Sequence, residues 1–516
     1  MPPSTDDPAS ETGHYSTVAK SGPSFGKGGQ GGPAGAAVSV ADMTTHPFWL
    51  AGTAATGDTE MTVLNPYTGE AAGTVSVPTP EQVEEAVAAA HAVAAEAAAL
   101  PAHVRASALD HIQRRIGERA EEIAQVITAE SGKPIKWARA EAGRAVSVFR
   151  WAAEEARRDS GELQRLDTDA GGVGRMALIR RVPKGPILGI SPFNFPINLV
   201  AHKIAPAIAV GAPIILKPAP ATPMTALILG EIIAETDLPR GMVSVLPMPN
   251  ESAASLIVDE RLPVVSFTGG AFGWEIQRRA PHKHVTLELG GNAAAVVLDD
   301  ADLEHAAKRI ALFGNNQAGQ VCIGVQRVVV TDAVHDDFVA RLVAEVETLG
   351  TGDPADPKTD VGPLIDEVSA ERVVSWVEEA VAGGARVLTG GARDGVTVAP
   401  TVVADAPADA KVVRQEVFGP VLVVQRVADT DAAFAAVNDS DYGLQAGVFT
   451  RDLPTAFRAH RELEVGGVVI GDVPTFRADQ MPYGGVKGSG VGKEGVRAAM
   501  TDLTDERVMV LTGIDL

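Results

Sequence analysis

The sequence predicts an α/β protein with two doubly wound parallel sheets and a small β arm. From Gly185 onward, short apolar runs alternate with helical stretches, the pattern of a parallel sheet covered on both faces. The alternation restarts near Ala293 and continues to about residue 470, so the chain carries two such blocks. The last apolar run, 506–511, has no helix after it. It can pair with the run around 176–182 as a hairpin that leaves the globule.

Taken in order, residues 1–45 contain SGPSFGKGGQGGPAG, a Gly/Ser/Pro-rich stretch without apolar periodicity. Such a segment buries too little surface to offset its ordering entropy and reads as a flexible tail. Order is expected from Phe48. Thr79 reads as an N-cap, with Pro80 at the first helical position and Gln82 completing a capping box. The Ala-rich run that follows to Ala99 is helical by propensity, and further helical patterns cover 105–130 and 138–157. In the first alternating block, strands are expected at 187–190, 213–216, 243–246, 264–267 and 285–289, with helices at 224–235 and 252–259. In the second, helices are expected at 300–312 and 336–349, strands at 326–330 and 421–424, and Asp299-Asp300 reads as a helix cap. No internal repeat is visible.

Composition bounds the function. A chain of 516 residues suggests about three domains, and 45% hydrophobic residues suffice for sizeable cores. With 44 Lys+Arg against 66 Asp+Glu, the net charge of −22 lacks the basic footprint of a nucleic-acid or anionic-membrane binder. A single cysteine excludes an internal disulfide framework. The opening MPPSTDDPAS has no basic-then-apolar targeting pattern, and apolar stretches such as 86–100 are broken by Glu and His. A soluble, cytoplasmic protein is expected. His282-Lys283-His284 has no cysteine or carboxylate ligands nearby, so no metal site is expected.

The lone cysteine, Cys322, follows Asn316-Gln317-Ala318-Gly319-Gln320-Val321. Alone it could be a small core hydrophobe. The preceding small and amide residues would instead let backbone N–H groups approach a substrate. A nucleophilic thiol needs a lowered pKa or a base, and Glu288 in Leu287-Glu288-Leu289-Gly290-Gly291 ends a buried strand. Burial would raise its pKa as a general base requires; a satisfied structural carboxylate is the alternative. Asn194, between Pro192 and Pro196, could donate to a developing oxyanion or serve as an Asx-turn residue.

Seven motifs then fall in order: Pro192-Phe193-Asn194-Phe195-Pro196, Leu216-Lys217-Pro218-Ala219, Ser266-Phe267-Thr268-Gly269, Leu287-Glu288-Leu289-Gly290-Gly291-Asn292, Gly319-Gln320-Val321-Cys322, Glu416-Val417-Phe418-Gly419-Pro420 and Pro482-Tyr483-Gly484-Gly485-Val486-Lys487. Together they resemble the aldehyde dehydrogenase superfamily over roughly residues 48–516. The resemblance implies a flexible tail at 1–45 and an NAD(P)-binding domain at 46–292, interrupted near 165–184 by an oligomerisation hairpin. A catalytic domain at 293–485 would follow, then a return segment and oligomerisation strand at 486–516. It implies oxidation of a small aldehyde to the acid by a homodimer or homotetramer, with NAD or NADP as cofactor. Cys322 would be the nucleophile, and the Asn194 amide and the Cys322 N–H would hold the oxyanion. Glu288 would activate the water that hydrolyses the thioester, and Lys203 would play a supporting part.

For the cofactor, the resemblance puts Lys217 at the adenosine ribose, Glu416 at the nicotinamide ribose and Phe418 beside the nicotinamide. Ser266, Gly269, Gly270 and Gly273 would line the pyrophosphate turn, where free N–H groups at a helix start suit an anion. Ser191, Pro192, Phe193, Ala219, Pro220 and Leu289 would be further cofactor contacts. That turn is one residue shorter than the common family pattern. Pro220 also stands where many NAD-preferring members carry Glu, which removes a repulsion toward a 2′-phosphate. On the substrate side, 473–482 and 198–203 resemble branches acting on lactaldehyde, glyceraldehyde phosphate, phosphonoacetaldehyde or semialdehydes. His202, Val321, Ile323 and Arg477 would face the substrate. Arg477 could grip an anion bidentately or form a structural pair with Asp479 or a neighbour. Two rival readings stand beside the oxidation: a CoA-acylating dehydrogenase, which needs no water-activating Glu288, and a non-catalytic relative, which needs none of Cys322, Glu288 and Asn194.

Overall fold

In the computed structural model, which describes residues 45–513, the apolar runs become two sheets. The tail assigned to 1–45 lies outside the described residues except for its last position. Five parallel strands form the centre of the first sheet, in the order Val243–Val245, Ile214–Lys217, Ile187–Ile190, Val264–Thr268 and His284–Glu288. Antiparallel strands flank them, Phe48–Leu50 and then Thr53–Ala55 on one side and Gly490–Val491 on the other. All residues of the Ile214–Lys217 and Val264–Thr268 strands are buried, as continuous apolar runs require when helices cover both faces.

The order reverses between Ile187–Ile190 and Val264–Thr268, because successive strands are added first on one side and then on the other. Ligands of open α/β sheets bind beyond the carboxyl ends of strands at such a switch point. The second sheet repeats the plan around Ala294–Val297, with Arg327–Thr331, Val421–Val427 and Thr401–Ala404 on one side and Gln445–Phe449 and Gly467–Ile470 on the other.

The expected elements are present with shifted ends. Thr79 caps Pro80–Ala99 in the anticipated capping box. The 105–130 pattern is two helices, Ala102–Glu118 and Ala120–Ser131, broken at Arg119. The 252–259 pattern is a 3₁₀ turn followed by the short helix Ala254–Val258. Asp302, not Asp299 or Asp300, caps Leu303–Asn315, accepting from His305 N. Asp300 instead accepts from the backbone of Arg451 at 2.7 Å. The predicted arm pairs residue for residue, Thr504–Thr512 lying antiparallel to Arg175–Pro183, with Glu162–Arg165 as a third strand.

Two helices start without local caps and are held by distant carboxylates. Glu141 Oε1 accepts from the N–H groups of Ile197 and Asn198, each at 3.1 Å, where Asn198–Val210 begins. Glu130 accepts from Met224 and Thr225 N–H at 2.7 and 3.2 Å, where Met224–Ala234 begins. Carboxyl oxygens at these helix starts satisfy orphan N–H donors; burial lifts Glu130 to about 8, so it caps by hydrogen bonding and not by charge. Lys133 pairs with Glu141 and stands 3.9 Å over the Phe195 ring, tying this cap to the loop that carries Asn194. Among the described residues, no single helix is long and apolar enough to cross a membrane.

Candidate active site

Beyond the carboxyl ends of the first sheet's strands lies a cavity of about 730 Å³, closed on its other side by segments leading into the second sheet. Cys322, Glu288 and Asn194 all reach it from three separate elements. Ser191, Pro192 and Phe193 line it after the strand Ile187–Ile190, and Lys217, Ala219 and Pro220 after Ile214–Lys217. Gly269, Gly270, Leu289, Glu416 and Phe418 line it as well.

Strain gathers at this wall. Three non-glycine residues here have left-handed backbone: Gln317 (φ 51°), Ala318 (φ 53°) and Phe418 (φ 47°). Such conformations persist only where surrounding contacts fix them, typically at functional loops. Gln317 and Ala318 turn the chain that presents Cys322, and a Cβ on Gly319 would stand 2.1 Å from the Gly419 carbonyl. The two loops carrying Cys322 and Phe418 therefore meet backbone to backbone, which only glycine permits.

The catalytic candidates have distinct environments. Cys322 keeps part of its surface open, but burial around the sulfur pushes its thiol up to about 11. Its Sγ lies 3.0 Å from the Tyr483 hydroxyl. Glu288 is 3% exposed, and among the described residues neither carboxyl oxygen has a hydrogen-bond partner. Burial first, then the charge of Glu494, hold its carboxyl well above the usual range. A structural carboxyl in such a place is ordinarily hydrogen-bonded. Asn194 Nδ2 donates to Gln320 O at 2.9 Å, across 126 residues, and among the described residues no backbone N–H donates to its Oδ1, as an Asx turn would require. One N–H of that amide remains, and the Cys322 backbone N–H has no acceptor among the described residues.

Several predicted residues stand behind the lining. Ser266 is not among the cavity's lining residues and accepts from Lys203 Nζ at 3.0 Å; Thr268, which lines the cavity, accepts from the same ammonium at 2.7 Å. Gly273 lies inside the helix Phe272–Arg279, where a Cβ would meet Leu289 at 2.5 Å, so it serves packing and not the turn. Ser266 lies two residues deeper in the strand than Thr268, which shares its face and does line the cavity, and the helix starts one residue before Gly273. Val321 and Ile323 are buried in a small apolar cluster with Leu444 and Tyr483, against Phe195 and Cys322.

Arg477 does not pair with Asp479. Its Nη2 donates to Glu494 at 3.2 Å and its guanidinium lies 3.8 Å over the Tyr483 ring. Asp479 goes instead to Arg144 at 2.9 Å and His202 at 3.4 Å. Burial opposes ionisation of both acids, yet Lys203 and Arg477 hold Glu494 at about 2, and His202 and Arg144 hold Asp479 at about 2. Burial drops His202 to about 4, leaving it neutral. Glu494, Tyr483, Arg144, Arg372 and Asn250 are site residues that sequence reasoning missed; only Tyr483 lay within a quoted motif.

The lining fits a nicotinamide dinucleotide. A Cβ built on Gly270 meets nothing within 4 Å, so that turn offers bare backbone to the cavity. Lys217, depressed to about 8 by burial, donates to Asn250 Oδ1 at 2.7 Å, a polar pair suited to sugar hydroxyls. Glu416 accepts from Gly291 N at 3.0 Å, and burial lifts its carboxyl to about 7.

Comparison with known proteins agrees with this architecture. The aldehyde dehydrogenase family model matches residues 53–509. The chain is 42% identical over 475 residues to a 3-sulfolactaldehyde dehydrogenase of Priestia megaterium, covering 92% of this chain and 99% of that one. It is 36% identical over 459 residues to a lactaldehyde dehydrogenase of Methanocaldococcus jannaschii, covering 88% and 97%. Among solved structures, aldehyde dehydrogenase 21 from Physcomitrella patens, in complex with the reaction product succinate, superposes with a TM-score of 0.90 at 43% identity, covering 92% and 99%. An NADP-dependent glyceraldehyde-3-phosphate dehydrogenase from Bacillus halodurans, complexed with NADP, gives 0.88 at 35% identity, covering 91% and 100%. A family model that spans most of the chain and relatives of more than 30% identity over nearly all of it show that the chain belongs to the aldehyde dehydrogenase family.

Proposed function

We propose that this protein oxidises a small aldehyde bearing an anionic group to the corresponding carboxylic acid, with NAD or NADP as acceptor. One observation carries the reading: Cys322, Asn194 and the partnerless carboxylate of Glu288 line one cavity with a cofactor-sized cleft. Cys322 attacks the carbonyl carbon, and the free N–H of the Asn194 amide and the Cys322 N–H hold the oxyanion. A bound nicotinamide dinucleotide supplies the hydride acceptor that converts the adduct on Cys322 to a thioester. Glu288 then takes a proton from water, which releases the acid and restores the thiol. A CoA-acylating route has no use for a desolvated base at that place.

Residues 46–292 would bind the cofactor and 293–485 supply the nucleophile. Lys217 would hold the adenosine ribose, the Gly269-Gly270 turn the pyrophosphate, and Glu416 the nicotinamide ribose. Pro220 brings no negative charge beside Lys217, so repulsion of a 2′-phosphate there is left to Glu251, whose charge reaches the Lys217 ammonium. At the edge of the arm, Val508, Met509 and Val510 are each more than half exposed (56%, 52% and 52%), which suits pairing with a second copy of the chain.

The anionic preference rests on Arg477. Lys203, Arg477 and Arg144 stand behind Cys322 against Glu494 and Asp479, and Glu288, ionised as the base must be, balances the third cation. What is left over is a donor: the buried Arg477 Nε has no hydrogen-bond partner among the described residues. The relatives named for sulfolactaldehyde and the neighbour holding succinate act on or release acids of this kind.

Initial rates of nicotinamide reduction test the proposal, crossing NAD⁺ and NADP⁺ with lactaldehyde, glyceraldehyde 3-phosphate, sulfolactaldehyde, succinic semialdehyde and propionaldehyde. A higher kcat/KM for the anionic aldehydes is expected; equal values for propionaldehyde would refute the anion site. Gly290→Ala probes the cofactor cleft, because a Cβ there would stand 2.1 Å from Glu416 Oε2. Displacing that carboxylate should raise the cofactor KM by about tenfold, the worth of one charged hydrogen bond. An unchanged KM would remove Glu416 from cofactor binding.

A further inference from the structure

The nucleophile has a partner that the proposed chemistry leaves unused. Among the described residues, the Tyr483 hydroxyl is the only hydrogen-bond partner of the Cys322 sulfur, at 3.0 Å. Tyr483 is 4% exposed, so its hydroxyl has no bulk water to turn to. A thiol can donate or accept in this contact, whereas a thiolate can only accept. Once Cys322 ionises, the phenol must be the donor.

Resting on the nucleophile assignment above, we infer that the Tyr483 hydroxyl is a catalytic group that donates to the Cys322 sulfur and stabilises the attacking thiolate. The Cys322 S–H bond breaks, its proton passes to water in the cleft, and Tyr483 keeps its own proton throughout. Attack then forms the S–C bond, the sulfur loses its negative charge, and the Tyr483 bond weakens as the adduct forms.

Three features support a donor and not a passive neighbour. Burial, then the charge on Cys322, hold the Tyr483 phenol well above its ordinary 10, so it stays protonated wherever a thiolate exists. The surroundings otherwise disfavour that thiolate: burial raises it most, and the nearby charges of Glu416 and Glu288 add to the rise. The Tyr483 bond is the largest effect acting the other way. Finally, the Arg477 guanidinium over the Tyr483 ring draws electron density from the face and strengthens the O–H donor. Glu494 fixes that guanidinium, so Arg477 is a positioning residue for the phenol.

Because Cys322 is the only cysteine, alkylation by iodoacetamide reads this sulfur alone. The second-order rate against pH gives the thiol's midpoint without any turnover. In Tyr483→Phe, which keeps the ring and its cation contact, the midpoint should rise by about one unit and alkylation at neutral pH should fall about tenfold. Site-specific 3-fluorotyrosine at position 483, a better donor of nearly the same shape, should move the midpoint down. An unmoved midpoint in either protein would overturn the role of Tyr483. It would leave Cys322 as nucleophile untouched, since that assignment fails only if Cys322→Ala still turns over.

Discussion

Cys322→Ala is expected to abolish aldehyde oxidation, by at least about 10⁴-fold, while leaving cofactor affinity intact. No second thiol exists to take over, because the chain has one cysteine. Alanine at this place removes the sulfur and its contact with Tyr483 but leaves the strained Gln317-Ala318 turn unchanged, so the wall of the cavity should keep its shape. The cofactor contacts proposed for Lys217, the Gly269-Gly270 turn and Glu416 lie on other segments and should bind as before. Nicotinamide reduction followed by absorbance, paired with a cofactor titration by protein fluorescence, separates the two quantities. Measurable turnover in Cys322→Ala would end the nucleophile assignment. Lost cofactor binding would show instead that Cys322 shapes the cleft.

The parts of this site that could be read from sequence are those whose chemistry is local. Cys322 after small and amide residues, Glu288 ending an apolar strand and Asn194 between two prolines each carry their own signal, and all three line the cavity. The parallel strands were equally legible, because residues buried on both faces leave continuous apolar runs. What escaped depends on partners far apart in the chain. Asp479 sits two residues from Arg477 and was offered as its partner, yet it binds Arg144, 335 residues away. Tyr483 and Cys322 are 161 residues apart, and no spacing rule links them. The helix Asn198–Val210 left no start signal, since its cap is Glu141 on another helix. Ser266 and Gly273 lie off the cavity's lining for a related reason: a motif places a segment at a site but does not say how far along it the site reaches.

Glu288→Gln should separate the two halves of the reaction. The amide keeps the size of the side chain but cannot take a proton from water, so hydride removal proceeds and thioester hydrolysis stalls. The expected result is a burst of about one reduced nicotinamide per chain, followed by a steady state slowed roughly 10²- to 10⁴-fold, the usual worth of a positioned base. Rapid-mixing absorbance would show the burst, and intact mass would show the acyl group on Cys322. An unchanged steady-state rate without a burst would refute the base. The pH dependence has a definite sign. As base, Glu288 must be ionised, and burial with Glu494 holds its carboxyl well above 4.5. Wild-type hydrolysis should therefore fall as pH drops through that raised value, and the variant should lose this limb. Stability moves the opposite way. The folded protein retains a proton on Glu288 that the unfolded chain releases above about 4.3, so this residue's presence destabilises the fold increasingly as pH rises from there toward the folded value. Gln carries no such dependence. The variant should melt higher than wild type at alkaline pH, and the difference should vanish near pH ~4, where both states of the wild type hold the proton. A slower enzyme that is also more stable, with both effects tracking one ionisation, is the signature of a carboxylate kept in a costly environment for its chemistry. A Tm difference independent of pH would place the cause in packing instead.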